Sequence, residues 1–180
     1  MTDINNKTSN LHGKEVSKND ISLHFIGTAD ELNCHLGLIK AMLSNDETWQ
    51  FTWQAACKTI ERIQKNLMKL MSHVSDNRNE EYFFHENDIS GLENETARLM
   101  GNLPKQSKFT LPGRNIIEAQ IQIARTVARR AERMYAAVKE KEVLCSNAAL
   151  YLNRLSKYLY YLSQQESLIN VNFINQFTGI

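Results

Sequence analysis

Glycine and proline are scarce, at seven and two in 180 residues. So few breakers exclude a many-turned β architecture and leave room for long uninterrupted helices. Charge of one sign is also missing, since 21 basic residues face 20 acidic ones. No broad field then points to nucleic acid or to an anionic membrane, and neither is expected as a partner; any charge chemistry is local. The three cysteines, Cys34, Cys57 and Cys145, are scattered and lack metal-ligand spacing, which predicts free thiols in a reducing compartment. No apolar run approaches the roughly 20 residues of a membrane span. The start, MTDINNKTSN, has no basic-then-apolar signal pattern. A soluble cytoplasmic protein of one domain is the expectation.

What the chain does have is 3.6-residue periodicity. Phe25, Ala29, Leu32, Leu36, Ile39 and Leu43 trace one helical stripe. Ile60, Ile63, Leu67, Leu70 and Val74 trace a second, preceded by Trp49 and Trp53. The polar stretch SDNRNEEYFFHEND reads as a surface loop, after which Asn87 or Asp88 can cap a shorter helix holding Ile89, Leu92, Thr96 and Leu99. Two long helices follow, at about 115–140 and 146–168, the second with Leu152, Leu155, Leu159 and Leu162 on its core side. No segment alternates as a strand. The spacing predicts an all-α, five-helix up-and-down bundle over 21–170, with a polar N-terminal arm at 1–20 and a tail at 171–180.

The fourth helix carries IARTVARRAERM at 123–134, four arginines and a glutamate in a mainly apolar run. At about 100° per residue, Ile116, Ile123, Val127, Ala131, Met134 and Val138 fall on one side, with Arg125, Arg129 and Glu132 opposite. In a monomer that band is a solvated charged face with helpful intrahelical pairs. Yet the planar guanidinium also suits carboxylate and phosphate recognition, and the residues alone leave both readings open. Elsewhere GTADELNCHLG at 27–37 puts Asp30 and Asn33 beside the first stripe, with Gly27 and Gly37 permitting close backbone approach, and YLNRLSKYLYYL at 151–162 carries Asn153 and Arg154 beside its own. The five histidines show no i, i+4 pairing with another histidine or with a cysteine and read as surface or packing residues.

Taken in order, GTADELN with HLG, FTLPG at 109–113, ARTVARRAER at 124–133 and YLNRLS at 151–156 resemble the PduO-type ATP:cob(I)alamin adenosyltransferases, over about Leu11 to Ser167. The resemblance implies a five-helix bundle assembled as a homotrimer with its sites between subunits. It also implies transfer of the 5′-deoxyadenosyl group of ATP to the cobalt of cob(I)alamin, with Mg²⁺, releasing triphosphate. Phe109 would close the lower face of the corrin, favouring four-coordinate Co(II) that accepts an electron more readily. Asp30 would pair with Arg125 across the subunit interface, beside the cobalamin-contacting Asn33. Arg129 would meet the ATP phosphates. Glu132 would lie in the nucleotide site near Mg²⁺, and Asn153 would contact the nucleotide. The electron would come from a reductase, and a cobalamin-dependent acceptor enzyme would take the product.

The sequence departs from the family mainly on the ATP side. The family's T-K-T-G-D-x-G loop is replaced by MTDINNK, with Ile4 and Lys7 at the glycine positions, where a side chain resists positive φ. Thr8, Ser9 and Lys18 remain as phosphate ligands. His24, Arg114 and Lys157 replace a glutamate, a glycine and an aspartate of the family pattern. Three readings therefore stand: an active adenosyltransferase, a relative that binds or delivers cobalamin without efficient ATP use, and a helical interaction module.

Overall fold

The structure is a computed structural model that describes residues 6–9, 15–45, 50–104 and 111–178, the backbone alone for 50–52 and 167–178. Two short strands, β1 (Lys7–Ser9) and β2 (Glu15–Ser17), precede five helices: α1 (Ile21–Ser44), α2 (Gln50–Ser75), α3 (Glu86–Gly101), α4 (Ile116–Lys139) and α5 (Ser146–Thr178). Around the bundle the order of packing is α2, α1, α4, α5, α3, closed by a thin seam between α2 and α3. Side-chain bonds give the directions. Glu31 with Arg130 and His35 with Gln120 set α1 antiparallel to α4. Gln122 with Ser163 and Glu132 with Asn153 set α4 antiparallel to α5. Glu93 with Arg154 and Phe84 with Asn147 run α3 parallel to α5.

The expected stripes of α1, α2, α3 and α5 are all buried, because each apolar row lies over a neighbour's row and removing it from water is the main driving force. Local signals start the helices. Asp20 caps α1 by accepting from the Ser22 amide at 2.9 Å and from the Ser22 hydroxyl. Those bonds hold its carboxyl below the usual range. Asn115 caps α4 by accepting from the Glu118 amide at 2.8 Å.

Several expectations are corrected. The arm is not all loop: β1 and β2 form an antiparallel hairpin with Thr8 opposite Val16. Three-residue strands are too short to print a period-2 pattern. The cap of α3 is His85, whose amide donates at 3.0 Å to Asp88 in the first turn, so the helix starts ahead of both residues proposed as caps. The supposed surface loop before it holds a 3₁₀ turn, Glu80–Tyr82, and Phe84, which is 2% exposed and packs on Tyr151 with ring centroids 5.0 Å apart. Helix α5 runs on to Thr178, through most of the stretch read as a tail. On α4 the core face is rotated: Ile121, Ala124, Ala128, Ala131, Tyr135 and Val138 are at its centre. Ile116 and Ile123 are 77% and 45% exposed. A Cβ at Gly27 would meet nothing within 4 Å, so no close approach occurs there among the described residues.

One histidine is structural. His73 is buried on α2, and its Nε2 accepts from the Cys145 amide at 3.1 Å, tying α2 to the α4–α5 turn. Burial, and to a lesser degree Lys69, push its pKa below the ordinary value of 6.5. In the unfolded chain the ring takes a proton near pH 6.5, whereas in the fold it resists one. This contribution to stability is therefore complete above about pH 6.5 and is lost as pH falls toward the folded-state pKa. The thermal midpoint is expected to drop between pH 7 and pH 5, and His73→Gln is expected to flatten that slope. An unchanged slope in the variant would assign the acid sensitivity elsewhere.

Candidate functional site

The rotation of α4 decides where the charged residues go. With the core at its centre, one flank of α4 meets α1 and the other meets α5. Arg130 sits on the α1 flank and pairs with Glu31 of the same chain, so it belongs to the bundle rather than to a free cationic face. Arg125 and Glu132 are half-buried on the α5 flank, and Arg129 is exposed beside them. Glu132 Oε1 accepts from Asn153 Nδ2 at 2.9 Å. Asn153 Oδ1 accepts in turn from Arg154 at 2.9 Å, and Arg154 Nε donates to Glu93 at 2.6 Å. The result is a carboxylate, amide, guanidinium and carboxylate laid across three helices.

Two cations in this band are uncommitted. Arg129 and Arg133 make no hydrogen bond or ion pair among the described residues, whereas Arg125 uses only its Nε, donating to Gln122 at 2.7 Å. Free guanidinium forks next to a fixed amide are chemically a receptor for an anion with several oxygens, and a phosphate chain fits that description. Glu132 keeps one carboxylate oxygen without a partner among the described residues. No group of three or more metal-ligating side chains occurs among the described residues. A Mg²⁺ here would take at most Glu132 from this face and its remaining ligands from phosphate and water, the usual pattern for that ion.

The other expected site residues lie apart from this face. Asp30 is exposed on α1 and forms no hydrogen bond or ion pair among the described residues. Its neighbour Glu31 is the residue that faces α4. Asn33 is half-buried: its carbonyl accepts from Gln64 at 3.2 Å, and its buried Oδ1 has no partner among the described residues. Thr8 and Ser9 lie in β1, and Lys18 follows β2. Ser9 lines a cleft of about 390 Å³ with Val16, Asp20 and Ser22 at the start of α1. No hydrogen bond or ion pair joins this corner to Arg129 among the described residues. Lys7, at a glycine position of the family loop, is in extended strand and ion-paired with Glu15 at 3.1 Å. Among the described residues only Gly113 has positive φ. Phe109 lies outside the described residues.

Sequence reading missed the polar cluster at the start of α4. Glu118 is 1% exposed, and one of its oxygens accepts from the Gly113 and Arg114 amides at 2.7 and 3.2 Å. Asn115 Nδ2 donates to the buried Glu166 on α5 at 2.7 Å. The loop ahead of α4 is thereby clamped, since losing the two amide bonds to Glu118 would strand a buried carboxylate. A glutamate three residues after an Asn cap, beside LPG, is the signal that could have revealed it.

Three comparisons bear on these residues. The family model described as cobalamin adenosyltransferase matches residues 4–166. A corrinoid adenosyltransferase of Citrobacter freundii is 30% identical over 169 residues, 92% of this chain and 92% of the relative. One from Bacillus subtilis is 31% identical over 150 residues, 83% of this chain and 76% of the relative. Among solved structures, a variant of a PduO-type ATP:corrinoid adenosyltransferase from Lactobacillus reuteri, complexed with cobalamin and ATP, superposes with a TM-score of 0.81. It is 25% identical, with 92% of this chain and 90% of that one covered. With a family match over nearly its whole length, two relatives at 30% identity or more, and the same helical fold, this chain belongs to the cobalamin adenosyltransferase family.

Proposed function

We propose that the protein transfers the 5′-deoxyadenosyl group of ATP to the cobalt of cob(I)alamin. Cobalt(I) supplies the electron pair for the new bond to C5′, the C5′–O bond breaks, and the leaving triphosphate carries that bond's electrons away. The observation that carries this reading is the α5 flank of α4, where Arg129 is uncommitted beside the Glu132–Asn153 pair. Arg129 would steady the charge that grows on the triphosphate, a fixed cation that needs no reorganisation during the step. Asn153 would hold the nucleotide, with Thr8, Ser9 and Lys18 as phosphate contacts and Glu132 beside the nucleotide's Mg²⁺. Phe109 would cover the lower face of the corrin, and Asp30, Asn33 and Arg125 would form its wall.

A homotrimer with sites between copies is the assembly this reading requires. Asp30 and Arg125 belong to different helices of one chain, and no hydrogen bond or ion pair joins the hairpin to Arg129 among the described residues, so in this reading each set is completed by a neighbouring copy. Leu38, Ile116 and Ile123, all 45% exposed or more, lie on the outer surface of α1 and α4. Exposed apolar residues grouped in this way suit a subunit contact. No helix among the described residues is long and apolar enough to cross a membrane. Three free cysteines support a reducing, cytoplasmic setting, with a reductase as electron donor and a cobalamin-dependent enzyme as acceptor.

The test is anaerobic mixing of the protein with ATP, Mg²⁺ and chemically reduced cob(I)alamin, following the corrinoid absorbance. Conversion to adenosylcobalamin is expected. Corrinoid binding without conversion would reassign the protein as a carrier.

A further inference from the structure

Arg125 is held by a chain of three hydrogen bonds whose directions are all determined. At its far end the Ser163 hydroxyl donates to the Tyr160 backbone carbonyl at 2.7 Å. A carbonyl can only accept, so the single hydroxyl proton is used there and Ser163 Oγ presents a lone pair to α4. The amide nitrogen of Gln122 donates to that lone pair at 2.9 Å. The amide oxygen must then face the other way, where Arg125 Nε donates to it at 2.7 Å. Ser163 is fully buried and Gln122 is 6% exposed. A flipped amide would aim its NH₂ at Arg125, which can only donate, and would turn its oxygen toward a hydroxyl whose proton is already used. Two mismatches in a buried site are expensive, so the amide has one stable orientation.

The consequence falls on the guanidinium. Arginine offers a carboxylate two docking edges, one made of Nε with one terminal nitrogen and one made of both terminal nitrogens. With Nε occupied from inside the bundle, only the terminal edge remains, and neither terminal nitrogen has a partner among the described residues. An unbraced arginine would sample many rotamers and lose entropy on pairing, whereas a braced one has already lost it.

We propose that Gln122, aligned by Ser163, is a positioning residue that fixes Arg125 to receive a carboxylate end-on from a neighbouring copy of this chain. This rests on the reading above, in which that carboxylate is Asp30 and the pair orders the cobalamin wall. Gln122 touches neither substrate and acts only through Arg125.

A double-mutant cycle on cobalamin affinity in the assembled protein, with ATP affinity as control, tests it. Gln122→Leu keeps the volume and removes the acceptor. It is expected to raise the cobalamin Kd about tenfold and to leave the ATP Kd within about twofold, yet to add less than about twofold in an Asp30→Asn background. Ser163→Ala, which releases the amide orientation, is expected to move cobalamin affinity the same way by about two- to fivefold. That variant decides the matter alone if Gln122→Leu fails to assemble. Equal penalties in both Asp30 backgrounds, parallel losses of ATP and cobalamin affinity, or an unchanged cobalamin Kd would each overturn the proposal. Failure of the underlying pair looks different, since Asp30→Asn and Arg125→Ala would then both leave cobalamin affinity unchanged.

Discussion

Replacing Arg129 by alanine is expected to lower kcat/KM for ATP by about a hundred- to a thousandfold, the usual consequence of removing one fixed group that meets developing charge. The cobalamin Kd is expected to stay within about twofold. The asymmetry follows from position. Arg129 is exposed on the α5 flank of α4 and makes no hydrogen bond or ion pair among the described residues, so its loss strands no buried partner and leaves the core intact. Arg129→Lys keeps the charge and loses the planar fork, and an intermediate rate is expected from it. Steady-state kinetics with ATP varied at saturating cob(I)alamin, together with a corrinoid binding titration, read both quantities. Equal damage to both substrates would mean that Arg129 supports the fold or the assembly instead.

The second large effect is expected at Asp30. This carboxylate is exposed and has no hydrogen bond or ion pair among the described residues, and Asp30→Asn is expected to leave the chain's own fold unaltered. In the assembly it is expected to meet the end of Arg125, and removing one partner of such a pair costs about 2–5 kcal/mol. Cobalamin affinity should then fall by at least about thirtyfold. Exchanging the two residues, Asp30→Arg with Arg125→Asp, should recover part of the loss if they meet. Unaltered cobalamin affinity in Asp30→Asn, with the oligomer intact by sedimentation, would remove Asp30 from the site.

All five helices were legible, and four of them with the right core face, because those cores are written in Leu, Ile, Val and Phe at helical spacing. Helix α4 was misjudged by a rotation, for a definite reason. Its true core relies on Ala124, Ala128 and Tyr135, which are weak or ambiguous in an apolar pattern. Ile116 and Ile123 are strongly apolar and exposed, and drew the expected face toward themselves. The hairpin was invisible because alternation needs more residues than β1 or β2 contains. Phe84 was hidden by the polar residues around it. At the site, Arg129, Glu132 and Asn153 could be singled out only as a set, through resemblance, because each alone is an ordinary helix-surface residue. The Gln122–Ser163 bond joins positions 41 apart, and no local periodicity encodes a contact of that span.

The packing order also bears on how the chain comes to be folded. Helix α3 rests chiefly on α5, its parallel neighbour, and touches α2 only through a thin seam that includes Arg62 to Gly91 and Lys69 to Asp88. On a ribosome, α1 and α2 can close on each other as soon as both have emerged. The apolar side of α3, with Ile89, Leu92 and Leu99, must wait for a helix made roughly sixty residues later, several seconds at about 5–20 residues per second. Nascent α3 is thus expected to stay open to solvent exchange until α5 has emerged to cover it.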